Sequence, residues 1–458
     1  MIREINDFQR VFFIGIAGAG MSAIAQYLRG IGKDVSGSDR FFKDGEPNDT
    51  RNKLEAEGIQ CFEQDGSGIQ PDTDLVVASA AVEDTVVEMV KAKSLNIQVI
   101  RRSELLALIA RSKKTIAVGG TSGKSTTSAM LFDILQYAGL EPSIISGAGL
   151  VSIIREGKIG NAKVGKGDWL IIEADESDGS IVQYEPAIGL LLNVDKDHKE
   201  LDVLMDIFTT FRQNSLEFIV NQSHPLAAKL SRDINLDFST KESIVAGYIA
   251  RGFKQEGLAI SFTVNNTPFH LKLVGEHNME NALAAATVAA AVGVDLDKSA
   301  EALEQYEGIY RRHQVLGQKN GCWVIDDYAH NPAKCAASIK ACQPIAPKVI
   351  AWFQPHGYGP TRFLRNDFVE EISAVLRPGD EIWMSEIFYA GGTATRDISA
   401  NDLIEDIKAK GLAAYFVEDR KDFLKHARSH ITENCVLLLM GARDPSLEYF
   451  AEAVWNEL

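Results

Sequence analysis

Cysteine is scarce in this chain of 458 residues, and its five cysteines are scattered. They are odd in number and lack the paired spacing of metal ligands, which argues against a disulfide framework or a cysteine-rich metal site and indicates reduced thiols in a core. No apolar run reaches membrane-spanning length, and the N-terminus lacks the features of a signal peptide. We therefore expect a cytoplasmic protein without a membrane segment.

Positive charge is also in deficit, because 47 Lys and Arg residues stand against 63 Asp and Glu residues, a formal net charge of −16. This balance argues against a surface for nucleic acid or for acidic membranes. It is compatible with an anionic ligand, since phosphate sites are built locally from backbone N–H groups and a few cations. Low-complexity stretches and internal repeats are absent, and the length predicts two to four domains.

Short apolar strands alternate with helices along the chain, which predicts an α/β fold with parallel sheets. We expect three domains at residues 1–110, 111–305 and 306–458. The first reads as a Rossmann-like domain, the second as a P-loop domain and the third as another Rossmann-like domain. A Lys-Asn-Gly sequence at 319–321 predicts a hairpin turn between two short strands.

The most specific motif is the glycine loop that follows the apolar run 115–118. A nucleoside triphosphate is typically held by a strand that is followed by small residues, Lys-Ser and then an amphipathic helix. In this arrangement Lys124 would contact the β/γ-phosphates and the Ser125 hydroxyl would bind Mg²⁺. Val118 departs from the strict Walker pattern, and the alternative is a glycine-rich turn with a solvated lysine. The candidate phosphate-binding residues are Gly120, Thr121, Ser122, Gly123, Lys124, Ser125 and Thr126.

Acidic residues follow the next apolar strand, 169–172. Glu173 opens the sequence Glu-Ala-Asp-Glu-Ser-Asp, and a carboxylate at a strand tip is where a P-loop enzyme holds magnesium. The alternative is a solvated acidic loop. His198 follows the strand at 188–193 and is either a second metal ligand or a surface histidine.

Two weaker signals flank this central region. The first glycine loop, Gly15 to Gly20, lacks the spacing of the dinucleotide fingerprint, but Asp39 follows at the distance of a ribose-binding acid. The loop fits NAD, another nucleotide diphosphate, or a tight packing turn. His277 and Asn281 are four apart, share a helix face and can hydrogen-bond a purine edge, or they are polar residues at a helix start.

Four loops that follow strands of the third domain are rich in Asp, His, Tyr, Gly and Arg. They begin at positions 326, 354, 385 and 441. In an open α/β sheet the loops beyond the carboxyl ends of the strands carry the site.

The order of these motifs resembles the Mur ligase family over essentially the whole chain. The resemblance implies an ADP-forming ligase of peptidoglycan precursor synthesis. It would join UDP-N-acetylmuramate to an amino acid, expected to be L-alanine, through an acyl phosphate, with ATP and Mg²⁺. It also implies a third domain that closes over ATP to exclude water, and a monomer or dimer.

The resemblance assigns roles residue by residue. The implied catalytic residues are Lys124, Glu173, His198 and His330. The implied metal ligands are Ser125, Glu173 and His198. His277, Asn281, Arg312 and Asp327 join the phosphate loop in binding ATP. The UDP substrate is assigned to Gly15, Ala17, Gly18, Ala19, Gly20, Ser38, Asp39, Ser79 and Ala80. The acceptor is assigned to Tyr328, His356, Arg362 and Arg443.

One departure from the family pattern concerns the acceptor. The two arginines of the family's loop, which would grip the incoming carboxylate, are Gly357 and Pro360 here, whereas Arg362 and Arg443 supply new cations. A carboxylate clamp fixes orientation, so moving it could change the acceptor. Smaller departures are Ala17, Ser122, Ser125 and Glu200.

Other functions stay open at this point. A recycling or other-acceptor ligase of the same type is the nearest alternative, followed by a ligase for folate or a polyamino acid. A nicotinamide oxidoreductase would leave the phosphate loop without a role. A non-catalytic nucleotide-binding regulator would need the lysine or metal site to be lost.

Overall fold

The computed structural model describes residues 2–79, 82–196, 199–389, 391, 395–444 and 446–458. These residues form two compact units. The first unit comprises residues 1–252, 262–270 and 279–309, and the second comprises residues 253–261, 271–278 and 310–458.

The N-terminal sheet of the first unit has five parallel strands in the order β3-β2-β1-β4-β5. Its elements are β1 (Arg10–Ile14), α1 (Ala19–Gly30), β2 (Asp34–Asp39), α2 (Asp49–Ala56), β3 (Gln60–Glu63), β4 (Leu75–Ala78), α3 (Val87–Ser94), β5 (Gln98–Arg101) and α4 (Arg102–Arg111). This is the Rossmann strand order without its sixth strand, so the crevice that takes a ligand lies where the order reverses, between β1 and β4.

A second sheet in the same unit has the order β11-β10-β6-β9-β7-β8 and places β6 at its centre. Its elements are β6 (Lys114–Gly119), α5 (Lys124–Tyr137), β7 (Ser143–Ile145), α6 (Val151–Ile154), β8 (Ala162–Lys163), β9 (Trp169–Glu173), β10 (Ile188–Leu191), α7 (Leu201–Asn214), β11 (Glu217–Val220) and α8 (Pro225–Ala228). The strands are parallel except for the pair β7 and β8, so β6, β9 and β10 all end at one edge.

A small four-stranded sheet and two helices follow along the chain. They are β12 (Phe238–Ser239), β13 (Tyr248–Glu256), β14 (Ala259–Val264), β15 (Thr267–Leu271), α9 (Glu276–Ala291) and α10 (Leu296–Glu304). The strands lie in sequence order. Helix α9 is rich in alanine and begins one residue before His277, so the predicted helix is confirmed.

The second unit contains a six-stranded sheet in the order β16-β17-β21-β18-β19-β20. Its elements are β16 (Gln314–Lys319), β17 (Cys322–Asp327), α11 (Pro332–Cys342), β18 (Lys348–Gln354), α12 (Tyr358–Phe363), α13 (Arg365–Val375), β19 (Glu381–Met384), α14 (Ala400–Ala409), β20 (Ala414–Phe416), α15 (Phe423–Ala427), β21 (Cys435–Gly441) and α16 (Leu447–Glu457). Only the pair β16 and β17 is antiparallel, and the predicted hairpin turn joins them, with Asn320 and Gly321 at positive φ.

Apolar side chains cover both faces of the N-terminal sheet and of the second unit's six-stranded sheet. In the first unit one continuous core takes residues from both large sheets, among them Phe13 and Leu170, each 0% exposed. All five cysteines are buried and free, as their scatter predicts. Among the described residues no helix is long and apolar enough to cross a bilayer.

Candidate active site

The phosphate loop lies where the sequence predicts, between the central strand β6 and helix α5. Gly123 is the N-cap of α5 and has a φ of 88°, a left-handed conformation that favours glycine. A Cβ there would lie 2.5 Å from the side-chain oxygen of Asn281. Helix α5 begins at Lys124, with Ser125 and Thr126 in its first turn, so its N-terminus and the loop amides form the kind of cradle that accepts phosphate.

Lys124 is held by two oxygens at this loop. Its Nζ donates to Glu176 Oε2 at 2.6 Å and to the carbonyl oxygen of Gly120 at 2.6 Å. Both side chains are largely buried, with 16% of Lys124 and 5% of Glu176 exposed. The sequence places Glu176 in an acidic run but does not identify it as the partner of the lysine.

Asp175 lies in the field of the same ammonium group. Burial acts to raise its pKa, but the Lys124 charge and hydrogen bonds from Ser177 outweigh burial and hold the pKa below its usual value. Asp175 therefore keeps its negative charge beside Lys124 in the described state.

Glu173 and Ser125 form the predicted metal-binding pair. Ser125 Oγ donates to Glu173 Oε2 at 2.9 Å. The other carboxylate oxygen, Oε1, accepts from Ser146 Oγ at 2.6 Å and from the Gly147 amide at 2.7 Å, which fixes the orientation of the carboxylate. A hydroxyl and a carboxylate side by side are hard oxygen donors that suit Mg²⁺, which keeps several of its own waters. No three His, Cys, Asp or Glu side chains converge into a larger metal cluster in the described ranges.

His198 lies outside the described residues, but the segment just before it supports the phosphate loop. Asn193 Oδ1 accepts from Thr121 Oγ1 at 2.9 Å and from the Ser122 amide at 2.8 Å. Asp195 Oδ2 accepts from Thr121 Oγ1 at 3.3 Å, and its Oδ1 lies 3.1 Å from His224 Nε2. The sequence analysis did not identify Asn193 or His224, because their partners are remote along the chain.

Asn281 and His277, predicted together as adenine contacts, have different neighbours. The Asn281 side chain lies against Gly123 and accepts a hydrogen bond from Thr127 Oγ1 at 3.2 Å, so it packs on the phosphate loop within the first unit. The His277 ring lies 5.2 Å from the His313 ring within the second unit.

The first glycine loop occupies the predicted crevice of the N-terminal sheet. Gly15, at a φ of 81°, follows β1, and α1 begins at Ala19 after the N-cap Gly18, so that Gly20 lies in its first turn. Ser79 follows β4, and a Cβ at Gly15 would lie 3.9 Å from its Oγ. Ala80 lies outside the described residues.

Ser38 and Asp39 are tied to this loop. Asp39 Oδ2 accepts from the Ala17 amide at 2.9 Å, and the Ser38 carbonyl accepts from the Gly15 amide at 2.8 Å. The Ser38 residue is 0% exposed. In the described state these two residues hold the loop in shape, and direct contact of either with a UDP ligand stays a prediction.

Tyr328, His330 and His356 are brought together at the carboxyl edge of the second unit's sheet. The His330 ring centroid lies 5.7 Å from that of Tyr328 and 5.8 Å from that of His356. His330 Nδ1 lies 2.9 Å from the Tyr328 carbonyl oxygen, which accepts the Nδ1 proton and leaves the Nε2 lone pair available. Burial, with a smaller contribution from the nearby Lys334 charge, lowers the pKa of His330 to about 4, so the ring is neutral at physiological pH.

Arg312 and Asp327 flank the same cluster. The Arg312 guanidinium lies 4.9 Å from the centre of the Tyr328 ring. Asp327 is 5% exposed and accepts from the His313 amide at 3.1 Å and from Ser338 Oγ at 2.8 Å. Burial opposes its ionisation, yet the His313 and Arg312 charges keep its pKa below the usual value.

The two candidate acceptor arginines are not both gathered at this cluster. Arg362 on α12 forms an ion pair with Asp397 and donates to the Thr395 carbonyl at 3.1 Å. Arg443 follows β21 at a φ of 68°, with an exposed side chain, and its amide lies 3.4 Å from the Tyr328 hydroxyl. Only Arg443 is therefore close to Tyr328.

Three family models match successive parts of the chain. They are described as "Mur ligase family, catalytic domain" (residues 10–114), "Mur ligase middle domain" (residues 118–289) and "Mur ligase, glutamate ligase domain" (residues 311–443). This arrangement confirms the three-domain α/β architecture, whereas the boundaries at 110 and 305 stay predictions.

Curated relatives and solved structures match over almost the full length. A UDP-N-acetylmuramate–L-alanine ligase of Dictyoglomus turgidum is 32% identical, covering 95% of this chain and 94% of that one. The ligase of the same name from Syntrophomonas wolfei is 33% identical, with the same coverage. The solved UDP-N-acetylmuramate–alanine ligase of Thermotoga maritima has a TM-score of 0.80 and 27% identity, covering 98% of each chain. A murein peptide ligase of Psychrobacter arcticus, at 19% identity and a TM-score of 0.67, shares the fold.

Proposed function

The chain belongs to the Mur ligase family, and from that membership we propose that it joins the carboxylate of UDP-N-acetylmuramate to the amine of L-alanine, with ATP as the energy source. The product would enter peptidoglycan precursor synthesis in the cytoplasm. The observation that carries the proposal is the phosphate loop with Lys124 and the pair Ser125–Glu173. It lies in a chain that is similar throughout to ligases of that name.

The first step is a reaction between two anions. A substrate carboxylate oxygen attacks the γ-phosphorus of ATP, the bond to the β–γ bridging oxygen breaks, and ADP leaves with that electron pair. Lys124 is positioned to screen the charge on the transferred group, and the α5 N-terminus adds partial positive charge. Bound Mg²⁺, held by Ser125 and Glu173, would neutralise the phosphate oxygens further.

Lys124 must change partners to act. In the described state it neutralises Glu176, and a bound triphosphate would compete for the same ammonium group. Asn193 and Asp195 keep Thr121 and Ser122 in place, so the loop amides are already oriented when the nucleotide arrives.

In the second step the acceptor amine attacks the acyl phosphate and phosphate leaves. The amine must lose a proton as the amide forms. His330 offers an acceptor for it, because its ring is neutral and its Nε2 lone pair is available. At a pKa of about 4 the ring is a weak base, so it would pass the proton on to water rather than hold it. His198 stays a proposed second metal ligand on the strength of the resemblance alone.

The test is phosphate release with ATP, Mg²⁺ and UDP-N-acetylmuramate against a panel of amino acids and short peptides. Release with L-alanine, and loss of release when Lys124 is changed, are expected. Absence of release with every acceptor, while ATP still binds, would refute the ligase proposal in favour of a nucleotide-binding regulator.

A second acceptor class is supported by one observation. Gly357 and Pro360 replace the family's acceptor-loop arginines, and Arg362 is engaged by Asp397. Release with another amino acid or a peptide, and not with L-alanine, would keep the ligase chemistry and reassign the acceptor.

A further inference from the structure

A shallow cavity of about 400 Å³, largely open to solvent, lies in the second unit beside the loops that follow β18 and β19. Its lining includes Tyr358, Glu386, Arg396, Asp397 and Asp402. The volume falls in the range of small-molecule sites, about 300–1,000 Å³.

Backbone hydrogen bonds join the loop that carries His356, a member of the histidine cluster, to a loop beside the cavity. The Gly357 amide donates to the Phe388 carbonyl at 2.9 Å, and the Phe388 amide donates to the Pro355 carbonyl at 2.8 Å. This pairing fixes the loop that carries His356 against the loop that carries Tyr389. The Tyr358 ring, which lines the cavity, lies 5.4 Å from the Tyr389 ring.

The carboxylates around the cavity are already engaged. Glu386 accepts from Ser399 Oγ at 2.6 Å and from the Ala400 amide at 3.2 Å, and Asp402 accepts from the Ser399 amide at 2.9 Å. These bonds hold the start of α14. Asp397 forms its ion pair with Arg362. The acidic side chains therefore serve the fold and leave little capacity for a cationic ligand.

Arg396 is the cation of this cavity that lacks a carboxylate partner within the described part of the chain. Its guanidinium lies 5.0 Å from the Tyr389 ring centre and 5.8 Å from the Tyr358 ring centre, while its side chain stays exposed. Two aromatic rings orient the guanidinium plane without consuming its N–H donors. An oriented, unpaired guanidinium is suited to bind a carboxylate through two parallel hydrogen bonds.

We infer that Arg396, supported by Tyr358 and Tyr389, binds the carboxylate of the acceptor and so determines that the acceptor is a free acid. This inference rests on the proposed ligase function. It assigns to Arg396 the role that the sequence analysis gave to Arg362 and Arg443. The Arg362 guanidinium is already paired with Asp397.

The test compares Arg396→Gln with the matched control Arg365→Gln. Arg365 lies on α13 and pairs with Asp406, so its change removes one arginine from the same unit without touching the cavity. For each protein the acceptor KM and the ATP KM are measured by phosphate release, using the best acceptor of the panel and its carboxamide. Binding of the same two acceptors is measured by calorimetry.

Arg396→Gln is expected to raise the acceptor KM and Kd by about 10- to 100-fold, the usual consequence of losing hydrogen bonds between charged groups. The ATP KM and the weak binding of the carboxamide should change less than about threefold, Arg396→Lys should recover part of the loss, and Arg365→Gln should match the wild type. The inference is overturned if the Arg396→Gln protein prefers the free acid over its carboxamide by the same ratio of KM and Kd values as the wild type. If the wild-type protein shows no turnover, the proposed function is refuted instead. The role of Arg396 is then decided by the ratio of the Kd values for the free acid and its carboxamide, measured by calorimetry.

Discussion

Replacing Lys124 by methionine should destabilise the protein as well as abolish its activity. The Lys124 ammonium lies 2.6 Å from Glu176, and only 5% of the Glu176 side chain is exposed. Breaking a buried ion pair by removing one partner costs about 3–5 kcal/mol, because the remaining charge has neither water nor a counter-ion. Since 16% of the lysine side chain is exposed, we expect the lower end, about 3 kcal/mol.

The loss should depend on pH with a definite sign. Lys124 is the largest influence that lowers the pKa of Asp175, against the effect of burial. In the wild type, stability from Asp175 is present above its unfolded pKa and is lost as pH falls through its lowered folded pKa. Without Lys124, the Asp175 carboxyl stays buried but loses the largest influence that lowers its pKa, so its pKa is higher in the variant than in the wild type. The Lys124→Met variant should therefore recover stability relative to wild type as pH falls from about 7 to about 4.

A double variant separates structure from catalysis. Lys124→Met with Glu176→Gln removes both charges and should recover most of the lost stability but none of the phosphate release. The assay is urea unfolding at pH 7 and pH 5, comparing midpoints of the same transition, since a chain of two units need not unfold in one step. Equal midpoints for wild type and Lys124→Met, or a double variant no more stable than the single one, would refute this reasoning.

Three further predictions follow from buried or crowded positions. Burial, reinforced by the Glu307 charge, raises the pKa of Asp133 to about 7, so the stability of the protein should fall as pH rises from about 4 to 7. The loss should be at most about 4 kcal/mol, and smaller because the side chain is partly exposed. In thermal melts the Asp133→Asn variant should be more stable than wild type at pH 8 and equally stable at pH 4. Gly123→Ala should raise the ATP KM at least tenfold, because the new Cβ would enter the space of a side-chain oxygen. The control is Gly139→Ala, which is also at positive φ but has open space around its Cβ; it should alter stability by about 1–2 kcal/mol and leave the ATP KM unchanged. Similar ATP KM values for the two variants would contradict the role of the loop. Arg311→Lys should lower the free energy of unfolding by about 2 kcal/mol, since lysine cannot reproduce the two hydrogen bonds to the buried Asp326, at 2.8 and 3.3 Å. An unchanged urea midpoint would show that the paired hydrogen bonds of the guanidinium contribute nothing to stability.

Much of the architecture could be predicted from local sequence. The strand before the phosphate loop, the helix that begins at Lys124 and the hairpin turn at Asn320 and Gly321 each depend on a few neighbouring residues. The proximity of Glu173 to Ser125 was also predictable, because β9 and β6 are parallel neighbours whose carboxyl ends meet at one edge.

Other contacts could not be predicted, because their partners are far apart in the chain. Asn193 supports Thr121 from 72 positions away, and Lys124 selects Glu176 among several acids of one run only through its position in three dimensions. The resemblance assigned Ser38 to the UDP substrate, yet its strand buries it completely.

The sequence by itself determined which chemistry this chain carries, since a strand, a glycine loop, a lysine and a helix N-terminus are consecutive and encode a phosphate site locally. Only the tertiary structure decided which charges are available for a ligand. The sequence analysis named Arg362 as an acceptor cation and did not consider Arg396. Folding pairs Arg362 with Asp397 and places the Arg396 guanidinium 5.0 and 5.8 Å from two tyrosine ring centres. A charge acts on a ligand only when no nearer group neutralises it, and that depends on distance in space rather than on order along the chain.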